Sequence, residues 1–171
     1  VKGDVYGGGY ALDRYGKATV SADVAGDAVT TISGTADIAG SVFGGGFNGD
    51  VDGNVTLDLN GASLNSTKKA VYGGGYNGNV GNVLIDVDEN SAIAWRLFGG
   101  GLAKDGGTAS AGDITINLAG TVGTSGSTGS VFGGAWVNNP TTEPETDGLT
   151  AMANANSATI NILSGASADW I

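Results

Sequence analysis

The 171-residue chain has no cysteine and no histidine, only 2 prolines, and only 7 lysines and arginines. Without cysteine there is no disulfide, no thiolate nucleophile and no cysteine-based zinc site. The lack of histidine removes the commonest general base and the commonest transition-metal ligand. Against 17 acidic residues the few cations leave a formal charge of -10. A phosphate backbone needs clustered Lys and Arg, so nucleic acid is excluded as a partner, and anionic membrane surfaces are disfavoured for the same reason. No apolar run approaches the ~20 residues that span a bilayer, so this segment is not expected to insert into one.

What is present is glycine, 33 residues of it, together with Ala, Val, Thr, Asn and Asp. The apolar residues sit in short β-branched runs separated by Gly, Asn and Asp, which reads as strands joined by turns. One all-β domain over residues 1–171 accounts for the length. The chain starts four residues before a Val-Tyr-Gly-Gly-Gly motif and stops at Trp170-Ile171, about where another such motif is due. It reads as a segment of a longer protein, flanked by further repeats.

Two motifs alternate along the whole chain. The first is an apolar residue, an aromatic and a glycine run: Val5-Tyr6-Gly7-Gly8-Gly9, Val42-Phe43-Gly44-Gly45-Gly46, Val71-Tyr72-Gly73-Gly74-Gly75, Leu97-Phe98-Gly99-Gly100-Gly101 and Val131-Phe132-Gly133-Gly134-Ala135. The second is a nine-residue unit starting at Gly26, Gly53, Gly81, Gly112 and, in degenerate form, Asn156. In it Val55, Leu57 and Leu59 fall on one face of a strand while Thr56 and Asp58 fall on the other. Successive units start 27, 28, 31 and 44 residues apart. Coils of that size predict a parallel β-solenoid of about five coils, in which no coil buries its apolar face alone and stacking makes the core. The glycine runs are expected at a sharp corner, where φ > 0 or close backbone approach excludes a Cβ. They do not fit a phosphate-binding loop, because strand-like sequence rather than a helix follows and no Gly-Lys-Ser/Thr occurs.

From the first motif to the nine-residue unit the offset is 21, 11, 10, 15 and 25 residues in the successive repeats. Insertions are therefore expected at one corner, the usual place for a binding face in repeat proteins. The residue after each glycine run is Tyr10, Phe47, Tyr76, Leu102 or Trp136, a second column beside the motif aromatics. If it faces solvent, Tyr10, Phe47, Tyr76 and Trp136, with Tyr15 from the first insertion, could stack on sugar rings or anchor a protein. The alternative is that both columns fill core corners.

Other polar groups suggest chemistry less strongly. Asp50-Val51-Asp52-Gly53-Asn54 offers oxygen ligands on a glycine turn, as calcium prefers, but it lacks the bidentate Glu of an EF-hand, and Asx turns are the competing reading. Asp58 and Asp86 occupy equivalent outward positions, which could serve glycoside hydrolysis or only line a solvated strand face. No basic residue sits in matching columns to assist them, so no catalytic residue, metal site or cofactor is assigned. Asn54-Val55-Thr56 and Asn65-Ser66-Thr67 fit the glycosylation tripeptide, which counts only in a eukaryotic secretory setting.

The five glycine-run motifs with intervening NVTLDLNG-type strands resemble the glycine-rich repeats of large bacterial surface and adhesin-like proteins, whose repeats are similar to the pectin-lyase-like right-handed β-helix superfamily. The resemblance covers the chain. It implies an extracellular or cell-surface, non-catalytic scaffold that presents its variable face to a host glycan or surface protein. A purely structural stalk and a carbohydrate-active lyase or hydrolase are the alternatives, and the resemblance carries over no catalytic residues.

Overall fold

A computed structural model describes residues 1–12, 21–124, 126–138 and 151–171. The described residues contain strands and turns and no helix. Every strand pair is parallel, and the chain is a parallel β-solenoid whose equivalent strands stack coil on coil. The nine-residue units form one five-stranded sheet, here the long sheet: Ala28–Ser33, Val55–Asn60, Val83–Val87, Ala111–Leu118 and Ala155–Ile162. The glycine-run motifs form a second, the aromatic sheet: Val5–Tyr6, Val42–Phe43, Val71–Tyr72, Arg96–Phe98 and Ser130–Phe132.

Register follows the repeat. Val55 pairs with Val83, Ile114 with Val83, and Ile114 with Ala158, at the offsets of the nine-residue units. A third five-stranded sheet of two-residue strands, from Asp37–Ile38 to Ser167–Ala168, closes each coil. Two residues are too short to show a period of two, so these strands leave no alternation in the sequence. Their signature is the inward residue alone, Ile38, Leu64, Ile93 and Val122, each following a glycine or acidic turn.

Alternation decides what enters the core. Leu57, Leu59, Ile85, Ile116 and Leu118 from the long sheet meet Val42, Val71 and Leu97 from the aromatic sheet and Leu64 and Ile93 from the short one in a single aliphatic cluster. Such ladders of Val, Ile and Leu supply most of the burial free energy, at about 25 cal/mol per Å² of apolar surface. The ladder is less complete at its end: Leu118 is 0% exposed, and its neighbour in the last coil, Ile162, is 47% exposed.

Of the two reasons expected for the glycine runs, close approach holds and left-handed backbone does not. None of their glycines has a positive φ; the positive values lie at Gly34, Gly61, Gly106, Gly123, Gly126 and Gly165. The runs are needed because the backbones of neighbouring coils and the long-sheet side chains crowd them. A Cβ on Gly44 would strike the carbonyl oxygen of Gly73 in the next coil and come within 2.5 Å of Val55 Cγ1. The aromatic and long sheets thus meet across the core with only hydrogens between them at this point.

Candidate functional site: the aromatic wall

Because side chains alternate along a strand, Val42 turns inward and Phe43 outward. In-register stacking then places each outward ring on its equivalent one coil away. The centroids are 5.0 Å apart for Tyr6–Phe43, 4.7 Å for Phe43–Tyr72, 5.1 Å for Tyr72–Phe98 and 4.8 Å for Phe98–Phe132, with the ring planes nearly parallel in every pair. The separation is that of parallel strands, so the backbone ladder enforces the ring ladder.

A second column covers the first. Tyr10, Phe47, Tyr76 and Leu102 bridge in parallel, and Leu102–Lys104 pairs with Trp136–Asn138. Tyr10 stacks on Phe47 at 4.7 Å and Phe47 on Tyr76 at 4.8 Å, and Phe47 and Tyr76 meet the inner column edge to face, as in Phe43–Tyr76 at 5.9 Å and 73°. The reading in which both columns fill core corners holds for the inner column's buried rings and not for the outer column, where Tyr10 is exposed and Phe47, Tyr76 and Trp136 are only partly buried. Phe43, Tyr72 and Phe98 are buried, but as a separate aromatic cluster outside the aliphatic core, and what buries them is the second column.

Four of the five predicted contact residues therefore share this wall, on unequal terms. Phe47 has both ring faces occupied by neighbours and offers solvent only an edge. Tyr10, at the end of the column, is 57% exposed. Leu102 interrupts the stack, and Trp136 leans back over the inner column, 5.5 Å from Phe98 and 6.5 Å from Tyr72. Tyr15 lies outside the described residues.

Sequence reasoning missed two neighbours of Trp136. Trp95 meets it edge to face at 5.8 Å, and the Arg96 guanidinium sits 4.3 Å from the Trp95 ring centre and 5.9 Å from that of Trp136. The signal was in the sequence: Arg96 immediately precedes the Leu97-Phe98 motif, at an outward position by alternation. Burial raises the Tyr72 phenol far above its ordinary value of 10.0, with Arg96 pulling the other way and Asp4 adding to the rise. Burial raises Tyr6 too, reinforced by Asp4, to which its hydroxyl donates at 3.5 Å. Tyr76 is raised by burial, with Lys104 opposing. All three phenols stay neutral hydrogen-bonding groups at physiological pH.

Insertions leave beside this wall. Those of the fourth and fifth coils pack on each other through Ala103, Ala109 and Ala151, and Ala109 N–H donates to the Met152 carbonyl at 3.0 Å. Residues 13–20 of the first insertion and residues 139–150 of the fifth lie outside the described residues.

The acidic candidates have another occupation. Asp50 Oδ1 accepts the Asn79 backbone N–H of the next coil at 2.7 Å, and Asp23 accepts that of Asp50 at 2.9 Å. A parallel column runs through Asp27, Asn54 and Asn82, each side-chain oxygen accepting the N–H one coil on at 2.7, 3.1 and 2.9 Å. Their hydrogen bonds run between coils rather than within one loop, so these side chains serve the stack and not local Asx turns. Among the described residues no three His, Cys, Asp or Glu side chains come together as a metal group. Asp86 accepts from Asn117 at 2.7 Å, which in turn accepts from Asn161 at 2.8 Å, so the Asp58 column continues as an amide ladder. Outside the long sheet a shallow depression of about 380 Å³, lined by Thr56, Asn82, Leu84, Asp113 and Thr115 among others, holds a single carboxylate. Asp113 there accepts from the Ser157 hydroxyl at 2.8 Å.

Compared with known proteins, the chain matches no protein-family description, no curated protein and no solved structure at a significant level.

Proposed function

We propose that this chain is a non-catalytic, extracellular or cell-surface scaffold that presents the aromatic wall and the insertions beside it to a ligand. The observation that carries this reading is the concentration of rings and length variation on one side of an otherwise uniform stack. Large outward rings cost solubility, and a wall of them along a rod is a surface on which aromatic anchors can dominate binding. A catalytic reading gains no support from the acidic residues, which are tied into inter-coil hydrogen bonds. Surface location rests on the likeness of the repeats to those of bacterial surface proteins and is tested by protease shaving of intact cells.

The binding test is a glycan array together with a pull-down from surface-protein extracts, using the chain and a Tyr10→Ser/Trp136→Ser double variant. Binding that falls roughly 10-fold or more in the variant supports the wall as the contact surface, since buried aromatic anchors commonly contribute over ~2 kcal/mol. A blank from the unaltered chain in both assays removes this reading and leaves a stalk.

A further inference from the structure

We propose that the aromatic wall takes a carboxylate-bearing glycan, held where Trp95, Arg96 and Trp136 meet. This rests on the wall being the ligand face and adds the chemical class. The first observation is how the cations are distributed. All 7 Lys and Arg residues fall at positions 2, 14, 17, 68, 69, 96 and 104, next to the glycine-run motifs or within the insertion that follows the first. No strand of the long or the short sheet carries one, whereas the long sheet turns Asp58, Asp86 and Asp113 outward. In sequence, a chain of charge -10 thus keeps its few positive groups close to the glycine-run motifs or in the first insertion.

Arg96 stands out among them. Lys69 lies 3.7 Å from Asp4 and Lys104 lies 3.5 Å from Asp105, but Arg96 forms no ion pair with any described residue. Its Nε is buried without a hydrogen-bond partner there, and the guanidinium is held by ring faces. In the aromatic sheet it pairs with Ser130 on one side, and the same register sets Ala70 on the other, so small side chains flank it. A guanidinium flanked by small residues presents the planar fork that matches a carboxylate. Trp95 and Trp136 beside it supply flat apolar surface for a sugar ring, and the neutral phenol of Tyr72 lies close enough to feel the Arg96 charge.

The backbone favours a glycan over an acidic peptide. Gly44 N–H donates to the Tyr72 carbonyl, Gly73 N–H to that of Phe98 and Gly99 N–H to that of Phe132, so the wall's main chain is spent on the stack. A peptide laid along the wall would find no strand edge to pair with and would leave its own amides unmet. A polysaccharide has only hydroxyls and carboxylates to satisfy, and side chains suffice for those. The outward carboxylates of the long sheet point from a different wall, and at 0.15 M salt the screening length is about 8 Å. Of the carboxylates beside the rings, Asp4 is paired with Lys69 and Asp105 with Lys104, which leaves Arg96 as the wall's cation with no carboxylate partner among the described residues.

The test is affinity electrophoresis and calorimetry at about 0.15 M salt with three polymers: polygalacturonate, the same polymer after carboxyl reduction, and polyglutamate. The unaltered chain is compared with Arg96→Gln, Arg96→Lys and Trp136→Leu, each checked by circular dichroism and thermal midpoint. The expected result is binding to polygalacturonate, loss of roughly 10-fold or more on carboxyl reduction and again in Arg96→Gln, and partial retention in Arg96→Lys, which keeps the charge but not the fork. Equal binding of the reduced polymer with Arg96→Gln indifferent overturns the acidic class and leaves the wall as a ligand face. Binding to polyglutamate alone overturns the glycan. Should Arg96→Gln lower the thermal midpoint yet bind polygalacturonate normally, Arg96 is a clamp for Trp95 and the inference fails. No binding to any polymer overturns it too, and the array and pull-down then decide separately whether the wall binds at all.

Discussion

The outer faces of the long sheet and of the aromatic sheet are built on the same parallel ladder, yet they solve the problem of stacking like on like in opposite ways. On the long sheet the repeated outward groups are polar, and neighbours are joined by hydrogen bonds such as Asn117 to Asp86 and Asn161 to Asn117. On the aromatic sheet the repeated groups are rings at 4.7 to 5.1 Å, joined by dispersion and buried by a second layer of rings. A column of carboxylates repels itself, while a column of rings attracts itself. The wall that can repeat one residue type in every coil is the aromatic one, and there the motif is most regular.

Glycine makes the aromatic wall possible, and this is where the contrast should break most visibly. Gly44 has no room for a methyl group: its added Cβ would meet main chain, which cannot move without displacing the coil above. Gly34, at the end of a long-sheet strand, has φ +70 and nothing within 4 Å of the added atom. Gly44→Ala is therefore expected to cost about 3 kcal/mol through overpacking. Gly34→Ala should cost about 1 kcal/mol through left-handed backbone strain alone. Chemical denaturation of the two variants checks this, and equal costs would mean that the runs serve conformation rather than close approach.

That distinction could not be read from the residues. Five glycine runs are visible in the sequence, but whether a glycine is there for its φ or for its missing Cβ depends on what stacks above it. The nine-residue strands were legible because Val55, Leu57 and Leu59 alternate with polar residues, and a wrong register would have turned them to solvent. The second column was legible as a column because Tyr10, Phe47, Tyr76 and Trp136 hold one place in the repeat. Its role as the cover of the first was not, since an outward ring and an inward ring look alike in a two-residue strand. Asp50 and Asn54 looked like loop ligands because sequence shows which residues are near along the chain, while their partners Asn79 and Asn82 lie one coil away.

The two walls should also part company in alkali. The unfolded chain loses phenolic protons near the ordinary value of 10.0, while burial keeps those of Tyr72 and Tyr6 on in the fold. A folded-state value above the unfolded one means that this stability is full below pH 10 and is lost as pH rises beyond it. The slope is about 1.4 kcal/mol per pH unit for each phenol held protonated. Denaturant midpoints followed from pH 8 upward should fall more steeply in the unaltered chain than in Tyr72→Phe. Identical slopes would show that the Tyr72 hydroxyl reaches solvent and that the second column does not seal the first.

The smallest effect, and the one with opposite sign, belongs to the long sheet. Asp58 pairs directly with Asp86 of the next coil, so two carboxylates face each other at strand spacing in a column that elsewhere passes from Asp86 to Asn117 to Asn161 by amide donors. Like charges directly opposite on neighbouring strands are unfavourable by a few tenths to about 1 kcal/mol, and half-exposed groups sit toward the low end because solvent screens them. Asp58→Asn replaces that repulsion with the donor already used two coils on: its amide can give to Asp86 as Asn117 does from the other side. The variant should be more stable by about 0.5 kcal/mol at low salt, and the gain should shrink as salt rises and screens the carboxylate pair in the unaltered chain. A destabilised variant would mean that Asp58 has a positive partner not contributed by the strands around it, and the polar wall would then no longer be the self-repelling counterpart of the rings.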